Sequence, residues 1–295
     1  MNILQRLSAI DSIPTLPEVV LRVQAMIASD EGNAVMLSRI IEQDPALSSK
    51  VLKVANSSLY GTSQRITSIP IAVTRIGFNE VSHIAIAASL VKKFSRKSNL
   101  LDYKQFWRHS LTSAFLTSMV ASISCIEFSP SQRQSLFLSG LLHDIGILIY
   151  DQFFHKEFEE IIDFALKKEI SFLEAEHAIA PRETHAGLGA ALLELWKFDQ
   201  SVTSGVRFHH CPKKAPLKHK SIAAATYFSE YILCNSGLGS FEGLMSNGDK
   251  DILDYLQVPQ NSLIDYLKQA ETEVERSDLV LSFNSSQNSM QLRAV

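Results

Sequence analysis

The stretch SGLLHDIGILIY, Ser139–Tyr150, sets an adjacent histidine and aspartate inside a run of apolar and small residues. Burying an ionised carboxylate without a partner costs far more than burying an imidazole. Asp144 therefore requires a cation, a strong hydrogen-bond network or a place at the edge of a cleft. Neutral imidazole plus carboxylate is a nitrogen–oxygen donor set, suited to iron, manganese, zinc or nickel rather than calcium. As neighbours on one helix, predicted here over 131–149, His143 and Asp144 diverge by about 100°. Both still reach a single cleft if they serve two adjacent metals, or a metal and its water.

Working outward, further histidines fall in helical, otherwise apolar segments. His109 lies in FWRHSLTSAFL, His185 opens HAGLGAALLELW, and His209-His210 end VTSGVRFHHCP. His83, in VSHIAIAASL, has no partner pattern around it. Taken singly, a helical histidine is an ordinary core or surface residue, and His209-His210 also fit a polar helix end facing the helix dipole. The histidine–aspartate pair followed by Ile145-Gly146 is the more specific signal.

The remainder reads as helix, so the fold class is all-α. PEVVLRVQAMIA (17–28) places Val20, Val23 and Ile27 on one face. NAVMLSRIIEQ (33–43) repeats the pattern with Asn33 as cap, and DPALSSKVLKVAN (44–56) opens with an Asp44 cap and Pro45. Short loops between these helices predict an N-terminal bundle. Longer helices are predicted over 69–76, 79–95, 102–124, 155–168, 171–178, 183–196, 199–209 and 218–234, then 249–256 and 260–275. The best strand candidate is LVLSF (279–283), and the glycine-bearing segment 235–249 reads as a loop. A soft boundary is expected near 98–101.

The chain has 295 residues, 46% hydrophobic and 20% charged, with a formal net charge of -3. That balance removes the broad attraction expected of a general nucleic-acid or anionic-membrane binder. Cys125, Cys211 and Cys234 form no C-x-x-C pair and suggest neither a disulfide framework nor a thiolate metal site. No apolar run reaches the roughly 18 residues of a membrane span. The expectation is a soluble, cytoplasmic protein.

Weaker signals have structural readings. VKKFSRK (91–97) and CPKKAPLKHK (211–220) are solvated helix ends or loops, and the glycines at 237, 239 and 243 miss the G-x-G-x-x-G spacing. Ser57, Ser58 and Tyr60 shape the turn that Gly61 completes. Trp107 and Trp196 are core anchors.

The ordered set His109, His143-Asp144-Ile145-Gly146, His185 and His209-His210 resembles the HD phosphohydrolase superfamily, especially its HD-GYP branch. IPTLPEVVLRV, IIEQDPALSSKVLKVANSSLYG and ITSIPIAVTRIGFNEV are similar to the HDOD family, the HD-related output domain of bacterial signalling proteins. The resemblance implies a fully helical HDOD domain over 8–212, with an N-terminal helical half (8–98) and an HD-like half (101–212). A C-terminal helical extension (213–280) and a disordered tail (281–295) would follow. The implied metal ligands are His109, His143, Asp144, His185, His209 and His210.

Departures from the family bear on activity. The closing aspartate of HD enzymes falls on Thr226, the HD-GYP glutamate on Gln105, and the lysine after HDIG on Ile147. Cys211-Pro212 follow the histidine pair, with no GYP motif. One carboxylate, Asp144, is then left for a two-metal hydrolytic centre that needs more. The expectation is a regulatory module that binds a signalling protein and keeps a degenerate metal site without catalysis. The alternative is a metal-dependent phosphohydrolase acting on a nucleotide or cyclic dinucleotide, with Asp144 catalytic. The partner, the input signal and the oligomeric state stay open.

Overall fold

A computed structural model describes residues 7, 13–28, 33–61, 64–181, 184–235 and 249–281, and among them regular structure is helical throughout, with no strand. The chain forms two compact units, one of residues 15–96 with the last helix from Glu275 onward, the other of 97–274 with Pro14. The expected loop at 236–248 and the tail from 282 lie outside the described residues.

The first unit holds α1 (Glu18–Ala28), α2 (Ala34–Glu42), α3 (Pro45–Ala55), α4 (Ile69–Ile76) and α5 (Phe78–Phe94). Their starts are written in the sequence. The Asn33 side chain accepts the Met36 amide at 3.0 Å, and Asp44 accepts those of Ala46 and Leu47 at 2.9 and 3.1 Å. These bonds satisfy donors that an isolated helix leaves orphaned. α5 packs against α1, α3 and α4, burying Ile84, Leu90 and Val91 along it. The turn over Ser58–Tyr60 ends at Gly61 with φ 55°, a left-handed position that favours glycine. The Asn56 amide pins the next segment, accepting from the Ile66 amide and donating to the Ile66 carbonyl at 2.7 and 2.8 Å.

The second unit carries α6 (Tyr103–Ile123), α7 (Pro130–Leu142), α8 (Ile145–Phe153), α9 (His155–Lys168), α10 (Phe172–Ile179), α11 (His185–Leu195), α12 (Gln200–Phe208), α13 (Lys220–Asn235) and α14 (Lys250–Leu256). α15 (Gln260–Leu281) supplies its residues up to Val274. A capping box starts α7: Ser129 Oγ accepts the Gln132 amide at 3.3 Å, and Gln132 Oε1 accepts the Ser129 amide at 2.8 Å. α6 and α7 run close because residue 140 is glycine. A Cβ there would come within 2.6 Å of Thr117 Oγ1 and 2.7 Å of the Ser113 carbonyl. α13, from the segment read as a C-terminal extension, packs on α6, α7 and α12 and shares a core with Leu116, Leu136 and Tyr266.

Four sequence expectations are corrected. The helix read over 131–149 is two helices, broken at His143-Asp144, where Asp144 takes φ -99° and ψ 9°. The strand candidate is not a strand over its described part: Leu279–Leu281 belong to α15, and 282–283 lie outside the described residues. That helix also runs six residues past the predicted end at 275, to Leu281. Trp107 is fully buried as an anchor, whereas Trp196 is partly exposed and donates its indole N–H to the Pro14 carbonyl at 3.2 Å. Lys213 of the basic segment pairs with Asp249 and Asp251 at 2.9 and 2.7 Å.

Candidate metal centre

Five places in the second unit deliver side chains to one centre. α6 carries His109, the break between α7 and α8 carries His143 and Asp144, and α11 opens with His185. The turn after α12 carries His209 and His210, and α13 carries Glu230. The break matters because it removes the 100° divergence that a continuous helix would impose on residues 143 and 144. The missing Cβ of Gly146 lets the start of α11 approach, since a methyl group there would overlap the His185 carbonyl.

The six residues singled out in the sequence lie together. His109 Nε2 is 3.1 Å from His143 Nε2, and His185 Nε2 is 3.3 Å from His209 Nε2 and 3.0 Å from His210 Nε2. Asp144 sits between the two sets. Its Oδ2 is 3.1 Å from His143 Nε2 and 3.6 Å from His109 Nε2, and its Oδ1 is 3.5 Å from His185 Nε2 and 3.6 Å from His209 Nε2. His109, His143 and Asp144 form one possible ligand group, and Asp144, His185, His209 and His210 form another. His83 belongs to the other unit.

The opposite ring edges fix which nitrogens face inward. His143 Nδ1–H donates to the Gly140 carbonyl at 2.7 Å, and His209 Nδ1–H to the Val206 carbonyl at 2.6 Å. His185 Nδ1–H donates to Glu176 Oε2 at 2.9 Å, while Glu176 Oε1 accepts the His185 amide. With Nδ1 so engaged, Nε2 is the nitrogen turned toward the others, and it offers a lone pair whenever the ring is neutral. Carboxylate and carbonyl acceptors of this kind orient metal-ligating histidines.

Sequence reasoning missed two carboxylates. Glu176 carries no local pattern in FLEAEHAI that separates it from a surface acid. Glu230 corrects the expectation of a lone carboxylate. Thr226, where the closing aspartate was expected, hydrogen-bonds Ser139 at 2.8 Å and the Ile222 carbonyl at 3.0 Å. One helical turn later, Glu230 Oε2 reaches within 3.0 Å of His109 Nε2 and 3.3 Å of His143 Nε2. The legible signal was an acid four residues on, on the same face of α13.

Burial alone would push Asp144 and Glu230 upward. The facing charges reverse this: His143 holds Asp144, and His109 with His143 holds Glu230, well below the usual carboxylate range. Burial pushes His209 down to about 3, with the adjacent His210 adding to it. Among the described residues Asp144 Oδ1 and Glu230 Oε2 are buried and accept no hydrogen bond. Two buried acceptors facing converging imidazole nitrogens suit a divalent transition metal, whose binding would displace any proton on those nitrogens.

The comparisons with known proteins agree with this architecture. An HDOD domain protein from Geobacter sulfurreducens superposes with a TM-score of 0.79 at 22% identity, covering 94% of this chain and 96% of its own. A Marinobacter aquaeolei VT8 protein named for signal transduction gives 0.71 at 23% identity, over 92% of this chain and 58% of its own. An uncharacterised Treponema pallidum protein is 24% identical over 220 residues, 75% of this chain and 42% of that protein. The chain spans less than half the length of the curated relatives it matches. Among the described residues no helix is long and apolar enough to cross a membrane. With the HDOD domain matched across residues 13–212, and that domain's all-helical fold in place, this chain belongs to the HDOD family.

Proposed function

We propose that this protein is a bacterial, cytoplasmic signalling module that acts by binding another signalling protein. In this reading its centre holds up to two transition-metal ions for structure or sensing and does not hydrolyse phosphate esters. His109 and His143 would hold one ion, and His185, His209 and His210 the other, with Asp144 between them. Bound there, the metal supplies a positive charge that offsets the buried carboxylates and ties together helices distant in sequence.

The observation that carries the reading is closure. His143, His185 and His209 are fully buried and Asp144 is 2% exposed, leaving His210 as the partly exposed donor of the set. A hydrolytic metal centre needs an open position for water and for the phosphoryl oxygens of a substrate. Elemental analysis of the purified protein, followed by phosphodiesterase assays on bis-p-nitrophenyl phosphate and a cyclic dinucleotide with added iron or manganese, tests it. Retained metal without turnover is expected. Turnover that Asp144→Ala abolishes would overturn the reading.

The second reading, a metal-dependent phosphohydrolase acting on a nucleotide or cyclic dinucleotide, draws support from Glu230. That side chain restores a second carboxylate to the donor set.

A further inference from the structure

We propose that Glu230 is a metal ligand of the His109–His143 half of the centre, and that the Cys234 thiol is its positioning residue. The proposal rests on the metal centre described above and concerns how this chain completes it. Glu230 is fully buried, and its two oxygens have different surroundings. Oε2 lies 3.0 and 3.3 Å from the Nε2 atoms of His109 and His143 and accepts no hydrogen bond among the described residues. Oε1 accepts the thiol proton of Cys234, with sulfur at 2.9 Å, one turn further along α13.

A carboxylate anchored through one oxygen presents the other in a fixed direction. Here that direction is toward the two imidazoles that Asp144 Oδ2 also faces, at 3.6 Å from His109 Nε2 and 3.1 Å from His143 Nε2. The first half then offers two nitrogens and two oxygens. The second offers three nitrogens and Asp144 Oδ1. The more oxygen-rich half suits the harder ion. Cys234 is itself buried, and α13 is fixed beside it by the hydrogen bond between Ser229 Oγ and Tyr266 Oη at 2.9 Å. The thiol therefore serves as a donor held in place rather than as an accessible nucleophile.

The test strips the full-length protein with EDTA and titrates it with cobalt(II), reading visible absorption, bound cobalt and a circular-dichroism melt. The wild type is expected to take two equivalents. Glu230→Gln should keep one and bind the second at least 10-fold more weakly, and Glu230→Asp, too short from this position, should do the same if the glutamine variant fails to fold. Cys234→Ala should weaken the same equivalent by 10- to 100-fold, the range for lost outer partners of metal ligands, and shift its absorption band. Cys234→Ser, which restores a donor, should recover most of the affinity. Wild-type binding in Glu230→Gln overturns the ligand assignment. Cys234→Ala matching the wild type, or alanine and serine impairing binding equally, overturns the positioning role. A wild-type chain that takes no cobalt overturns this proposal together with the metal centre, whereas the other results leave that centre standing.

Discussion

Gly146 shows how a single atom sets the geometry of the centre. A Cβ at this position would overlap the His185 carbonyl, so α8 and α11 approach only because the side chain is absent. Gly146→Ala should push the two helices apart, costing about 1–3 kcal/mol as overpacked cores do, and should move His185 away from Asp144. Urea unfolding and metal content, measured on the same preparation, check both effects. Glu176 acts from the other side of His185. Glu176→Gln removes the charge that faces Nδ1–H, and metal affinity is expected to fall by about 10- to 100-fold with the helix content unchanged. Circular dichroism beside a competitive chelator titration separates these outcomes.

At the scale of elements, helix starts are local bargains between a side-chain oxygen and orphaned amides. Ser129→Ala removes one half of the capping box of α7 and should cost about 1 kcal/mol, read from a thermal or denaturant melt. Such starts were legible in sequence: Asn33, with its helix, and Asp44 with Pro45 both stand where the periodic pattern begins. The break at His143-Asp144 was not, because apolar residues flank it on both sides and periodicity carries straight through. The contacts made at that turn are tertiary, from His109 on α6, His185 on α11 and His209 after α12 to Asp144. Glu230 escaped notice for a related reason. Reading the closing acid at one position ignores that a glutamate one turn later, with a longer side chain, reaches the same imidazoles.

On the scale of the molecule, the unit of residues 97–274 gathers its donors from points more than 120 residues apart, between His109 and Glu230. The family pattern made the histidines legible as a set, while their common meeting point depends on helix packing that no local spacing encodes. Metal that binds the folded chain alone stabilises it by mass action, about 2.7 kcal/mol at a hundred times the dissociation constant. Removal by chelator should therefore lower the melting temperature, and Asp144→Asn should abolish most of that metal-dependent difference. The most direct measurement is an anomalous difference map from crystals of the protein grown with manganese or zinc, collected at the absorption edge. The account predicts density within about 2.0–2.2 Å of histidine Nε2 atoms and of Asp144. A metal-loaded crystal whose anomalous density lies only on surface residues, with these imidazoles bonded to one another, would contradict it.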